Sequence, residues 1–183
     1  MKKAVVVGFG FMGMTHSLNI FKNPDLELVA IVDKDIESIE SKLEQPEGNF
    51  ATGDIDPQKI RKVNKYRTLT DCIEKEDFDT VHVCVHTNLH YEVTREALHA
   101  GKHVLLEKPF SLDLDECKEL IHLAEEKDLI LMVGHVLRFM PPYQKLKSLI
   151  EDEAYGKLKF LSMTRFSGVP LWGEWVQKQS SFG

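Results

Sequence analysis

The chain has 183 residues, 43% apolar and 28% charged, with 11 glycines and 7 prolines, which excludes a disordered tail and a collagen-like or linker-like polymer. Its net charge of −6, from 23 Lys and Arg against 29 Asp and Glu, argues against binding through a phosphate backbone, so no nucleic-acid partner is expected. The apolar runs fall far short of the ~20 residues of a membrane helix. Met1-Lys2-Lys3 is followed by too short an apolar stretch for a secretory leader, so a cytoplasmic chain without membrane contact is expected.

The first apolar run, residues 4–7, ends in Gly8 and precedes a helix predicted over 12–21. A second run, 26–32, closes at Asp33 and leads into a helical stretch over 35–43. Residues 45–63 carry Pro46, Gly48, Gly53 and Pro57 and read as a loop followed by a short extra helix. Their charge turns from acidic to basic and continues to Lys65 and Arg67, the pattern of a solvated face. A third run, 80–85, interleaves His82 and Cys84 with valines. Behind it Leu89, Val93, Ala97 and Ala100 recur at helical spacing up to Gly101. Residues 103–106 form a fourth run. Asp113 followed by Glu116 has the pattern of a helix cap, with Leu114, Cys117, Ile121 and Ala124 as the predicted buried stripe. A fifth run, 129–133, completes the series. Buried strands alternating with helices predict a doubly wound, Rossmann-type parallel sheet with helices on both faces.

Met140-Pro141-Pro142 punctuates the chain. The predicted boundary therefore sets a dinucleotide-binding domain, 1–139, before the start of an α+β second domain, 140–183. In the latter a helix over 143–150 and a strand over 158–166 are expected. That strand would present an open edge, so self-association or disorder is expected there. Cys72, Cys84 and Cys117 form no C-x-x-C pair and read as free thiols in a reducing compartment. Cys84, within an apolar run, reads as a small buried residue, and no metal site is expected.

Gly8-x-Gly10-Phe11-Met12-Gly13 stands between a strand and a helix, with Asp33 twenty residues past Gly13 at the end of the next strand. That context matches the dinucleotide fingerprint. Gly8 permits the turn, Gly10 lets a pyrophosphate approach, and Gly13 lets the helix pack on the sheet. Asp33 is placed to accept hydrogen bonds from ribose hydroxyls, which favours NAD over NADP, while Lys34 beside it would partly offset the repulsion of a 2′-phosphate. At the next strand end, Thr87, Asn88 and His90 are candidates for contact with the nicotinamide half, or else Thr87 or Asn88 caps the following helix. His86 and His90 have the spacing of metal ligands but lack a third. Glu107-Lys108-Pro109 ends the fourth run. Lys108 is placed to protonate or orient a substrate oxygen, unless it is a surface lysine beside Glu107, and a cis bond before Pro109 is not readable from sequence.

These motifs, with the stretch from Gly134 through Arg138 to Pro141, occur in the order and approximate spacing of one family. The chain resembles the N-terminal part of the glucose–fructose oxidoreductase/inositol dehydrogenase (Gfo/Idh/MocA) family over essentially its whole length. The resemblance implies an NAD(P)-dependent dehydrogenase moving a hydride between the nicotinamide and a sugar, polyol or cyclitol. It also implies that Lys108 is catalytic beside nicotinamide and substrate, and that Glu107 and Pro109 shape the cofactor pocket. Arg138 matches a recurrent arginine near the domain junction, and Arg165 and Trp172 fall where the second domain begins to face the cleft and substrate. The family's second domain often mediates oligomerisation, so a homo-oligomer is expected. Its later Gly-Gly…Asp…His…Asp motif would begin where Gly183 stands, so a truncated form of doubtful stand-alone activity is expected. The alternative from another class is a non-catalytic dinucleotide-binding module, a redox sensor or a subunit completed by a partner. A flavin enzyme is the weaker third reading.

Overall fold

The computed structural model describes residues 1–44, 56–153, 155–164 and 166. They divide into two compact units, the first over Met1–Gly134 and the second from His135 onward. Within the first unit, strands β1 (Lys2–Val7), β2 (Leu26–Val32), β3 (Asn64–Tyr66), β4 (Thr80–Val83), β5 (His103–Leu106) and β6 (Leu131–Val133) make one sheet. Its order is β3-β2-β1-β4-β5-β6, and every pairing is parallel. The chain winds outward from β1 to one edge and then from β4 to the other, so the order reverses between β1 and β4, where such sheets hold their ligands.

Alternation along the strands explains how both faces become core. From β1, Val5 and Val7 join one cluster with Leu69, Ala97, Leu98, Leu120 and Leu123. Those partners come from helices α4 (Leu69–Lys75), α5 (His90–His99) and α6 (Leu114–Glu126). Ala4 and Val6 join the other cluster with Met14, Ile20, Ile39 and Ile60. These belong to α1 (Phe11–Lys22), α2 (Ile39–Glu44) and α3 (Pro57–Lys62). The doubly wound expectation is met.

Four local expectations are corrected. The strand over 80–85 stops at Val83. The extra strand β3 falls in the charged stretch expected to be a solvated face, and helix α4 follows where no element was expected. In α6 the buried face is Leu120, Leu123 and Ala124, while Leu114 and Ile121 are exposed. Asp113 does cap that helix, accepting from the Asp115 and Glu116 N–H groups. In the second unit, α7 (Pro141–Glu151) covers the predicted helix. The described residues of 158–166 form no strand, and Leu158, Phe160, Leu161, Met163 and Phe166 are all exposed. A strand needs a paired edge for its backbone groups, and an apolar pattern alone does not supply one. Among the described residues no helix is long and apolar enough to cross a membrane.

Candidate functional site

The strands end at a common level. Val32, Val7, Val83, Leu106 and Val133 are successive partners across the sheet. The next residue of each chain segment then donates its N–H to the end of the neighbouring strand: Gly8 to Val32 O, Cys84 to Val7 O, Glu107 to Val83 O and Gly134 to Leu106 O, at 2.7 to 3.0 Å. Asp33 donates likewise to Tyr66 O. Asp33, Gly8, Cys84, Glu107 and Gly134 therefore form one row along the C-terminal rim. Three of these five, Gly8, Asp33 and Glu107, were singled out from the sequence as parts of motifs, and Gly134 opens a stretch that carried the family resemblance.

The glycine turn has three different reasons for its three glycines. Gly8 has φ +90°, and a Cβ there would meet the Cys84 backbone at 2.8 Å. At Gly13 a Cβ would stand 2.0 Å from Gly8 O, so α1 could not approach the turn. Gly10 is exposed, its φ of −88° is open to any residue, and a Cβ would project into empty space. Gly10 is also the N-cap of α1 and brings no side chain of its own to cap the helix. A helix N-terminus that begins at a glycine fits an anion drawn to its N–H groups and dipole. Phe11 and Met12, in the first turn of α1, are half-buried.

Asp33 anchors the other side of this turn. Its Oδ2 accepts from Phe9 N–H at 2.7 Å and its Oδ1 from Asp35 N–H at 2.9 Å. Lys42 Nζ lies 3.2 Å from Oδ2. The cation that offsets Asp33 is thus Lys42 of α2, not Lys34, which is exposed and whose carbonyl accepts from Arg67. A carboxylate has about four acceptor positions, which leaves capacity for ribose hydroxyls.

Beyond β4, Thr87–Leu89 is a single 3-10 turn, and neither Thr87 nor Asn88 caps α5, whose N-cap Leu89 makes no side-chain bond. The capping alternative is therefore corrected. His90 is 1% exposed. Its Nδ1 lies 2.7 Å from Pro109 O and its Nε2 3.1 Å from Val85 O. Both ring nitrogens thus face acceptors of the two rim segments, and the ring ties those segments together rather than offering a nitrogen to a ligand.

At the end of β5, Glu107 is 7% exposed, while Lys108 and Pro109 are exposed. The Lys108–Pro109 bond is cis. Glu107 Oε1 lies 3.0 Å from His16 Nε2, and Oε2 accepts from Lys108 N–H at 3.3 Å. His16 Nδ1 in turn lies 3.0 Å from Nδ1 of His82, with the rings edge-on. Burial by itself raises the Glu107 pKa, but the His16 hydrogen bond and charge, with Lys108, outweigh it and hold the carboxyl below its ordinary value. Burial, and next the His16 ring, pull His82 down to about 4. Burial, then the Glu107 charge, push the Cys84 thiol well above its ordinary range, so Cys84 is no thiolate nucleophile at neutral pH. His16 and His82 were missed as site residues. The available signal was a histidine one turn past Gly13 and another inside an apolar strand.

Arg138 is exposed in the 3-10 turn Val136–Phe139 of the second unit. Arg165 and Trp172 lie outside the described residues.

Residues 2–135 match the family described as "Oxidoreductase family, NAD-binding Rossmann fold". The chain belongs to the Gfo/Idh/MocA family. It is 30% identical over 159 residues to an uncharacterized oxidoreductase, YrbE, of Bacillus subtilis, covering 87% of this chain and 42% of that protein. It is 31% identical over 165 residues to a myo-inositol 2-dehydrogenase of Thermotoga maritima, covering 90% of this chain and 45% of the relative. This Gfo/Idh/MocA chain thus spans less than half the length of either. Among solved structures, GenD2 from gentamicin A biosynthesis, in complex with NAD, superimposes with a TM-score of 0.70 over 84% of this chain and 40% of its own. Its 22% identity makes that a likeness of fold.

Proposed function

We propose that the chain is the dinucleotide-binding part of an NAD-dependent dehydrogenase acting on a sugar, polyol or cyclitol, with Lys108 as its acid–base residue. The observation that carries this reading is the rim itself: a glycine turn with open space at Gly10, a carboxylate at the end of β2, and an exposed lysine at the end of β5 lie along one edge of the sheet, beside the switch of strand order. The Thermotoga relative's activity on myo-inositol supports the substrate class.

In this reading Gly8, Gly10, Phe11, Met12 and Gly13 form the pyrophosphate cradle, and Asp33 accepts from the adenosine ribose. Thr87 and Asn88 edge the nicotinamide half, while Glu107, Pro109 and the buried His90 shape the pocket around it. Arg138, near the domain junction, is assigned to the cofactor, and Arg165 and Trp172 to the substrate, in a homo-oligomer whose second domain begins at residue 140. Nicotinamide, when bound, supplies the hydride acceptor or donor. Lys108 Nζ, on the exposed side of the turn, holds or moves the proton of the substrate oxygen while the fold fixes its direction.

Calorimetric titration with NADH and NADPH tests this reading. The expected result is binding of both with NADH preferred, since the Asp33 carboxylate repels a 2′-phosphate and Lys42 offsets it only in part. Lys108→Ala is expected to keep dinucleotide affinity while lowering turnover of a cyclitol or sugar by ~10²-fold or more, measured in the protein extended by its second domain. A folded chain that binds neither dinucleotide overturns the reading, and unchanged turnover removes Lys108 from the chemistry.

A further inference from the structure

Three polar side chains sit beneath the rim in positions that the apolar pattern would fill with aliphatic groups. His82 lies between Val81 and Val83 on the α1-facing side of β4, His16 lies one turn past Gly13, and Glu107 follows directly on β5. Buried polar groups cost free energy unless they are paired, and each of these is paired with the next.

The order of the protons follows from the chemistry. An ionised Glu107 can only accept, so His16 Nε2 carries a proton and donates to Oε1. His16 Nδ1 and His82 Nδ1 then share a single proton across 3.0 Å. The carboxylate is fenced on its remaining sides. Its Oε2 accepts the Lys108 N–H, and a Cβ placed at Gly134 would come within 3.4 Å of Oε1. The ring of His16, carried by the helix of the glycine turn, thereby sets the carboxylate that receives the Lys108 backbone.

We infer that His16 is a positioning residue: braced by His82, it fixes Glu107 and through it the Lys108 turn relative to the glycine turn, so that a dinucleotide meets a preformed rim. This rests on the dinucleotide reading of that rim. In this role His16 acts through Glu107, to which its Nε2 is bonded.

A matched pair of variants separates this role from mere packing. In His16→Gln the side-chain amide nitrogen falls at the distance of Nε2 and can still donate to Glu107. In His16→Asn it falls at the distance of Nδ1 and reaches only toward His82. The expected result is NADH affinity in His16→Gln close to that of the unaltered chain and a loss of about tenfold or more in His16→Asn. Ring-nitrogen NMR of the unaltered chain is expected to find His16 Nε2 protonated, with a shift that moves in Glu107→Gln. Equal affinities in the two variants, or an unprotonated Nε2, overturn the inference. Should the variants fail to fold, the ring-nitrogen spectrum still decides it. An unaltered chain that binds no dinucleotide, yet gives the expected ring spectrum, defeats the dinucleotide reading on which the positioning role depends.

Discussion

At Gly10 the requirements of the ligand and of the fold come apart. Its φ is ordinary and nothing lies within 4 Å of a Cβ built there, so neither backbone strain nor packing demands a glycine at this place. Gly10→Ala is therefore expected to cost no more than the ~1 kcal/mol of a poorer helix cap in urea unfolding, while weakening NADH binding in titration. Unchanged binding in a folded Gly10→Ala chain would remove the pyrophosphate from this turn. Spacing marked Gly10 because the fingerprint depends on local order. The same kind of reading could not find His16 and His82, because their meeting with Glu107 joins residues 66 and 91 positions apart. Only the packing of α1 against β4 and the end of the neighbouring strand brings these three together.

Helix α1 rests on the sheet through its first turn, where Gly8 O occupies the place of a Gly13 side chain. Gly13→Ala pushes the helix outward at a contact with no flexible atom to yield, and is expected to destabilise the chain by ~1–3 kcal/mol. A urea midpoint equal to that of the unaltered chain would contradict this. Elements were legible in the sequence in proportion to how far local chemistry decides them. β2 and β5 begin and end where their apolar runs do, and α6 begins at its capping aspartate. Which face of α6 is buried was not legible, because its apolar residues spread over more than one stripe and the sheet selects among them. β3 is three residues, Asn-Lys-Tyr, held by pairing with β2 at the sheet edge, and it carries no apolar signal of its own.

On the scale of the whole molecule, burial of a neutral histidine links stability to pH. The unfolded chain binds a proton at His82 near pH 6.5, whereas the folded chain resists until about 4. Between those values the unfolded state holds more protons, so this contribution is complete above pH 6.5 and is lost as pH falls toward 4. Glu107, whose pKa is lowered on folding, adds a loss of the same sign at still lower pH. Urea unfolding is expected to register a decline of roughly 2 kcal/mol from His82 between pH 7 and pH 5, much reduced in His82→Gln. A flat profile for the unaltered chain would place a charged ring in the core. The level rim also depends on one irregularity in the sheet. β1 pairs Ala4 with Leu28 but Val5 with Ala30, passing over Val29. Regular pairing of the same residues would carry Asp33 one position, roughly 3.3 Å, farther along and onto the opposite face. From that irregularity to the rim both chains count four residues, Val5 to Gly8 and Ala30 to Asp33. Val29 thus acts as a spacer that divides the β1–β2 pair into two segments of different register. The bond from Phe9 N–H to Asp33 follows from the register of the second of these segments.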